Sequence, residues 1–265
     1  MPFVEARGIR IYYEIRGDGP RVLFFNGSGG DLRRKPNIFD SPLAVRFQVL
    51  CHDQRGLGST DKPEAPYTMA DYAEDAAALL DALGWEGCHV VGASFGGMVA
   101  QEFAIRFPAR VERLVLACTS SGGTGGASYP LHELSDLAPD ERARRVIALA
   151  DTRLDAAWQA AHPDRFQALA AMVATSDESA DAAARAGMLR QLAARRGHDT
   201  YDRLARITCP VLVCGGRFDG IAPPANLQAI VRQIRGAQLE LFDGGHYFML
   251  QDPAAFQRMI EFLAA

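Results

Sequence analysis

The stretch His89-Val90-Val91-Gly92-Ala93-Ser94-Phe95-Gly96-Gly97-Met98 decides how the chain is read. His89 to Val91 is a short apolar run of the kind that forms a buried strand. Met98 to Phe107 continues as a helix-like run. Between them lies Gly92-x-Ser94-x-Gly96, the spacing of a serine nucleophile on a tight strand-to-helix turn. A strained turn lifts the Ser94 hydroxyl away from the backbone. Side chains at positions 92 and 96 would collide with neighbouring backbone, which explains the glycines. The helix that follows points its first N–H groups at the site, where negative charge is favoured. A chance Gly-x-Ser-x-Gly is common in glycine-rich chains. The strand before it, the helix after it and a third glycine at Gly97 favour the functional reading.

Outward from this turn, the first half of the chain alternates strands and helices. Phe3 to Arg7 and Ile9 to Arg16 read as a strand pair with a turn at Gly8. Arg21 to Phe25 is a fully apolar strand running into the loop Asn26-Gly27-Ser28-Gly29-Gly30. Phe47 to His52 is the next strand, followed by Asp53-Gln54-Arg55-Gly56-Leu57-Gly58-Ser59. Thr68 to Leu83 reads as a helix with Thr68 or Asp71 as its cap and a stop at Gly84. Val111 to Ala117 is another apolar strand. Such alternation means βαβ units and a mainly parallel sheet. The rhythm breaks after Thr119 to Gly126. From about Ala127 to Arg206 the chain is rich in Ala, Arg, Leu and Asp with helical spacing, which reads as a helical insert. Strand rhythm resumes at Pro210 to Gly216, followed by a helix over Pro224 to Ile234, a strand over Gln238 to Phe242 and a helix over Pro253 to Leu263.

Composition sets the outer bounds. The 265 residues are 48% apolar and 23% charged, with a net charge of −4. That balance argues against nucleic acid or an anionic membrane as a partner. The N-terminus lacks a basic segment followed by an apolar core, and no apolar run reaches the length of a membrane span. The five cysteines lie in or beside strand-like runs without metal-ligand spacing. They read as buried, reduced thiols of a cytoplasmic protein. No metal or other cofactor is expected. The oligomeric state is left open, a homodimer among the options.

A serine hydroxyl needs a base within hydrogen-bond reach, and that base needs an orienting group. His246 is the candidate base, because Asp243-Gly244-Gly245-His246 is a flexible loop after a strand. His52 and His89 fall in strand-like runs and read as core residues. His132, His162 and His198 fall in the insert and read as surface residues. The orienting carboxylate should lie between Ser94 and His246 in the chain. Asp219 follows the strand Val211 to Cys214, so a parallel sheet brings it to the same edge as Ser94 and His246. Asp243 is the rival, but a residue three positions from His246 on one loop suits a turn role better. Two N–H donors must receive the oxyanion. Phe95 supplies one. Ser28, with Gly27 next, supplies the other from the loop after the third strand. That loop lacks a following Lys-Ser/Thr and is no phosphate loop.

Together these residues resemble the α/β-hydrolase superfamily. The carriers are Phe25-Asn26-Gly27, Asp53 to Gly58, Gly92 to Gly97, Gly216-Arg217-Phe218-Asp219 and Gly245-His246. Within it, Ser94 to Glu102 and Leu114 to Thr119 look like the small esterase and enol-lactonase-like branch. The resemblance implies a mainly parallel eight-stranded sheet flanked by helices, with residues 1–122 and 207–265 as the core domain and 123–206 as a helical cap. It implies a cofactor-free serine hydrolase acting on a small ester or lactone through an acyl-enzyme. C–C bond or amide cleavage on the same triad, or a low-turnover ligand receptor, are the alternatives. Two departures stand out. The family usually has His-Gly where Asn26-Gly27 stands, and its C–C bond hydrolases carry Trp where Tyr247 stands. Asn26, Gly27, Tyr247 and, in the insert, Trp158, Phe166, Met172 and Met188 are the expected substrate contacts. Packing between cap helices is the competing reading for those in the insert.

Overall fold

The computed structural model describes residues 2–134, 136–178 and 182–265. The first half runs β1 (Phe3–Ala6), β2 (Ile9–Arg16), β3 (Arg21–Phe25), α1 (Leu43–Arg46), β4 (Gln48–His52), α2 (Met69–Ala82), β5 (Cys88–Ala93), α3 (Phe95–Arg106) and β6 (Val111–Ala117). Then come α4 (Pro139–Ala150), α5 (Ala156–Ala161), α6 (Pro163–Glu178) and α7 (Ala182–Arg196). The chain closes with β7 (Val211–Gly216), α8 (Pro224–Gln233), β8 (Gln238–Phe242), α9 (Phe248–Gln251) and α10 (Ala254–Ala264).

The eight strands form one sheet in the order β1-β2-β4-β3-β5-β6-β7-β8. β1 and β2 pair antiparallel, as do β2 and β4; every other pair is parallel. Parallel strands covered on both faces read as continuous apolar runs, and every residue of β5 and β7 is buried. One face of the sheet packs on α2, α3 and α8 through Tyr72, Leu79, Phe103, Leu227 and Ile230. The other packs on α1 and α10 through Leu43, Met259, Phe262 and Leu263. The start of α2 comes from a capping box: Thr68 accepts from the Asp71 N–H while Asp71 accepts from the Thr68 N–H.

The topology fixes where a site can form. From β3 the chain goes to β4 on one side and later to β5 on the other, so the ends of β3 and β5 flank a switch point. Crevices at such points, outside the carboxyl ends of the strands, bind ligands.

The segment from 123 to 206 leaves and re-enters the sheet layer at neighbouring points. Gly122 and Asp199 form an isolated bridge, and the Thr200 N–H donates to the Ser121 carbonyl at 2.8 Å. Its helices reach the strand-end edge twice. The end of α4 accepts from the loops after β7 and β8: Gly220 N–H to Leu149 O at 2.9 Å and His246 N–H to Ala150 O at 2.6 Å. α7 lies close above the β4 loop, where any side chain at Gly187 would run into the Gly56 carbonyl. No helix among the described residues is long and apolar enough to cross a membrane.

Candidate active site

The turn at Ser94 is strained as its spacing requires. Ser94 has φ 55° and ψ −118°, a conformation a side-chain-bearing residue rarely adopts. It is held there from three sides. Its N–H donates to Ala117 O at 2.8 Å, its carbonyl accepts from Gly97 N–H at 2.9 Å, and the same carbonyl accepts from Thr119 Oγ1 at 2.8 Å. A Cβ at Gly92 would strike the Gly96 carbonyl and Ala100, and one at Gly96 would strike the Phe25 carbonyl. The glycines are thus demanded by close approach of β3, β5 and α3.

The side chains of Ser94, His246 and Asp219 meet in a line. Ser94 Oγ lies 2.9 Å from His246 Nε2, and His246 Nδ1 lies 2.8 Å from Asp219 Oδ2. A carboxylate only accepts, so Nδ1 carries the proton and Nε2 is left to accept from the serine. Asp219 is 3% exposed, and its other oxygen accepts the N–H groups of Ile221 and Ala222 at 2.8 and 2.9 Å. Its carboxylate is therefore fixed before any substrate arrives. Asp243 does not take part. Its side chain is 74% exposed and accepts from Arg153 Nη1 at 2.9 Å. The turn role expected of it gives way to this surface ion pair.

The loop after β3, Asn26 to Gly30, lies beside Ser94: a Cβ on Gly27 would stand 3.5 Å from Ser94 Cβ. Ser28 Oγ is buried without a hydrogen-bond partner. Phe95 opens α3, so its N–H has no acceptor within the helix. Its ring is fully buried, edge-on to Tyr72 at 5.1 Å. Asn26 turns inward: Nδ2 donates to Cys51 Sγ at 3.3 Å and its carbonyl accepts from Gln54 Nε2 at 2.8 Å. Asn26 therefore organises the loop, and the substrate contact expected of it is replaced by that tie to β4. Asp53 anchors the far end, accepting from Leu32 N–H at 2.8 Å and Ser59 N–H at 2.7 Å. Burial pushes its carboxyl up to about 6. Arg55 is taken up in a bidentate pair with Asp75 at 2.7 Å on both arms, a structural role.

The insert residues divide. Met188 lies on the loop after β3, its sulfur 3.2 Å from where a Gly29 Cβ would stand. Tyr247 is 57% exposed, with its ring 5.8 Å from the His246 ring. Met172 is 71% exposed on α6, a surface position rather than a pocket wall. Trp158 stacks on His162 at 4.7 Å under the Arg165 guanidinium, and Phe166 lies under Arg144; both serve packing between helices of the insert. Helical spacing marks which side is covered but not what covers it. His198, expected at the surface, is 7% exposed, with Nε2 3.1 Å from Ser120 O. Burial lowers its imidazole to about 4, and that of His52 likewise.

Several supports had escaped the sequence reading. Gln191 on α7 is fully buried and accepts from Gly29 N–H at 2.9 Å, tying the insert to the loop after β3. Gln251 accepts from Gly245 N–H at 2.7 Å and donates to Asp151 at 3.2 Å, bracing the His246 loop. Thr119 pins Ser94. Their signal is faint: single polar residues inside apolar stretches, with partners distant in the chain. Among the described residues no cluster of His, Cys, Asp and Glu could hold a metal ion.

Comparison with known proteins places this arrangement. The family model for the alpha/beta hydrolase fold matches residues 20–253. The chain belongs to the α/β-hydrolase superfamily, a superfamily of hydrolytic enzymes. It is 30% identical over 252 residues to a poly(3-hydroxyalkanoate) depolymerase of Ectopseudomonas oleovorans, covering 93% of this chain and 86% of that one. It is 26% identical to 3-oxoadipate enol-lactonase 2 of Acinetobacter baylyi, covering 97% and 94%. Among solved structures, a hydrolase from Pseudomonas aeruginosa PA01 superposes with a TM-score of 0.76 at 31% identity, covering 100% of this chain and 98% of the other. The esterase and enol-lactonase-like resemblance read from Ser94 to Glu102 agrees with these neighbours.

Proposed function

We propose that the protein is a serine hydrolase that cleaves a carboxylic ester or lactone through an acyl-enzyme. The observation that carries this is the unbroken line from Ser94 Oγ through His246 to Asp219, at 2.9 and 2.8 Å. Ser94 Oγ attacks the carbonyl carbon while His246 Nε2 takes its proton. Asp219 holds Nδ1–H and stabilises the imidazolium. The Phe95 and Ser28 N–H groups receive the oxyanion. The intermediate collapses, His246 returns the proton to the leaving alkoxide, and the acyl group stays on Ser94. Water, deprotonated by His246, then releases the acid. In a lactone the leaving alkoxide remains part of the acyl chain and departs only with it. The insert acts as a cap over the pocket, with Met188 and Tyr247 at its walls.

Two relatives support this reading, one named a poly(3-hydroxyalkanoate) depolymerase and one an enol-lactonase; a relative named putative carbamate hydrolase, 30% identical over 264 residues, is the reason amides stand in the test panel. Burst kinetics with 4-nitrophenyl acetate test it, beside a panel of lactones, amides and β-diketones. One burst equivalent per active site is expected, with esters or lactones turned over fastest. Faster cleavage of an amide or a β-diketone would move the chemistry to another bond class.

A further inference from the structure

Gln191 of α7 is fully buried, and only half of its amide is used. Its Oε1 accepts from Gly29 N–H at 2.9 Å. Its Nε2 is buried and meets no acceptor. An amide nitrogen carries two N–H donors, so both go unanswered inside the protein. Ser28 Oγ, on the residue before Gly29, is buried without a partner too. The two groups do not satisfy each other, since a hydrogen bond between them would partner both. Buried donors are nearly always hydrogen-bonded, and one that is not costs stability. Another buried glutamine of the insert shows the usual outcome. Gln159 on α5 donates from Nε2 to Arg144 O at 3.1 Å and to Leu154 O at 2.9 Å.

Both donors lie beside the proposed chemistry. A Cβ on Gly27 would stand 3.5 Å from Ser94 Cβ, and Ser28 is the next residue. Ser28 Oγ is three bonds from Ser28 N, so a staggered side chain keeps the two within about 4 Å. An oxyanion held by the Ser28 N–H therefore has the Ser28 hydroxyl as a neighbour. Gln191 reaches the same peptide unit through the Gly29 N–H. The leaving-group oxygen belongs to His246 Nε2, which returns a proton to it. The group that meets Ser28 Oγ and Gln191 Nε2 is thus part of the acyl portion, close to its carbonyl. An amide nitrogen only donates, so that group must accept. Both donors are neutral, which suits a neutral oxygen.

We infer that Gln191 Nε2 and Ser28 Oγ form a donor pair that receives an ether or hydroxyl oxygen on the carbon next to the scissile carbonyl. The substrate class is then an ester or lactone of a 2-alkoxy or 2-hydroxy acid. This rests on the ester or lactone reading above and on Ser28 N–H as an oxyanion donor. An ether or hydroxyl oxygen has two lone pairs and can accept from both donors at once. On that carbon it stands about 3 Å from the carbonyl oxygen, within reach of the Ser28 hydroxyl while the N–H holds the oxyanion.

The test compares 4-nitrophenyl methoxyacetate with 4-nitrophenyl butanoate, whose acyl chains differ only by oxygen in place of one methylene. The oxygen also activates the carbonyl, so each kcat/KM is divided by the rate of hydroxide ion on the same ester. Wild-type protein should favour the methoxyacetate by about tenfold or more after that correction. Gln191→Glu keeps an oxygen for the Gly29 N–H but removes both N–H donors, and should bring the ratio close to one. Ser28→Ala keeps its backbone N–H, and should lower the ratio several-fold, with Ser28→Thr restoring part of it. A merely structural role for either side chain would slow both esters alike and leave the ratio as it was. A wild-type ratio near one, or a ratio unchanged in Gln191→Glu and Ser28→Ala, overturns the donor pair and leaves the hydrolase reading intact. Binding of methoxyacetone and of 2-pentanone, followed by NMR titration, reads the site without catalysis. Tighter binding of methoxyacetone, lost in Gln191→Glu, with neither ester cleaved, supports the donor pair and removes the ester chemistry instead. Equal binding of the two ketones, or none, with neither ester cleaved, overturns both.

Discussion

The strand-end edge of the sheet and the helical insert are built on different terms. At the edge, Ser94 and Asp219 are each fixed by several short-range constraints. Ser94 is held by Ala117, Gly97 and Thr119, and Asp219 by two N–H groups of its own loop. The glycines there mark backbone packed on backbone. In the insert, α5 and α6 show large apolar side chains half-buried or open, with Met172 71% exposed. Where the insert meets the edge, hydrogen bonds from Gly29 to Gln191 and from His246 to Ala150 stand beside close packing of Met188 on Gly29 and of Gly187 on Gly56. The edge thus holds Ser94 and Asp219 by several constraints each, while the large side chains of α5 and α6 are held by fewer.

That contrast can be broken by substitutions on the two sides. Ser94→Ala has the largest expected effect, a loss of at least about 10⁴ in turnover on any ester with the fold unchanged, since it removes the proposed nucleophile. Asp219→Asn comes next, with turnover down by about two to four orders of magnitude. Asp243→Asn should cost less than about tenfold, because it removes an exposed ion pair with Arg153. Both are measured on one ester, with circular dichroism as the control for folding. A silent Asp219→Asn would remove the third member of the triad.

On the insert side, Gln191→Ala removes the acceptor of the Gly29 N–H. Turnover should fall about tenfold, the worth of one buried hydrogen bond that positions the oxyanion loop. Gln191→Glu keeps an acceptor and should recover much of kcat. A purely structural role would instead lower the melting temperature of both variants without separating their kcat values.

The smallest expected effect is on stability. Burial holds His52 and His198 at about 4 against an ordinary 6.5. The unfolded chain therefore binds their protons first as pH falls, and stability present above about pH 6.5 is lost progressively down to about 4. Asp53 works the other way. Its carboxyl, raised from 3.8 to about 6, is protonated first in the folded state, which favours the fold over that window as pH falls. Two histidines outweigh one aspartate, so the melting temperature should fall between pH 7 and pH 4.5. His198→Gln should flatten part of that slope. A melting temperature that rises over the same range would show the histidines to be accessible to solvent.

Legibility from the sequence followed the same division. Gly92-x-Ser94-x-Gly96, Asp219 and His246 could be read because each sits where a strand ends, and strand order brings strand ends together. The Asp219 and Asp243 alternative was decidable for the same reason: one follows a neighbouring strand, the other shares the histidine's own turn. The insert resisted. Trp158, Phe166 and Met172 share a periodicity with core residues, but periodicity names a face and not its neighbour. His198 was read as surface because its burial depends on Ser120, 78 residues earlier in the chain. Gln191 and Gln251 act through partners far along the chain, and no local spacing announces them.

The most direct test is labelling with a fluorophosphonate probe, followed by peptide mapping. The probe reacts with a serine only when a base and an oxyanion site have activated it. One label per chain is expected, on the peptide that holds Ser94, with none on Ser94→Ala protein and slow labelling of Asp219→Asn. Labelling that persists in Ser94→Ala, or that maps to Ser28 or Ser120, would contradict the assignment of the nucleophile and the mechanism built on it.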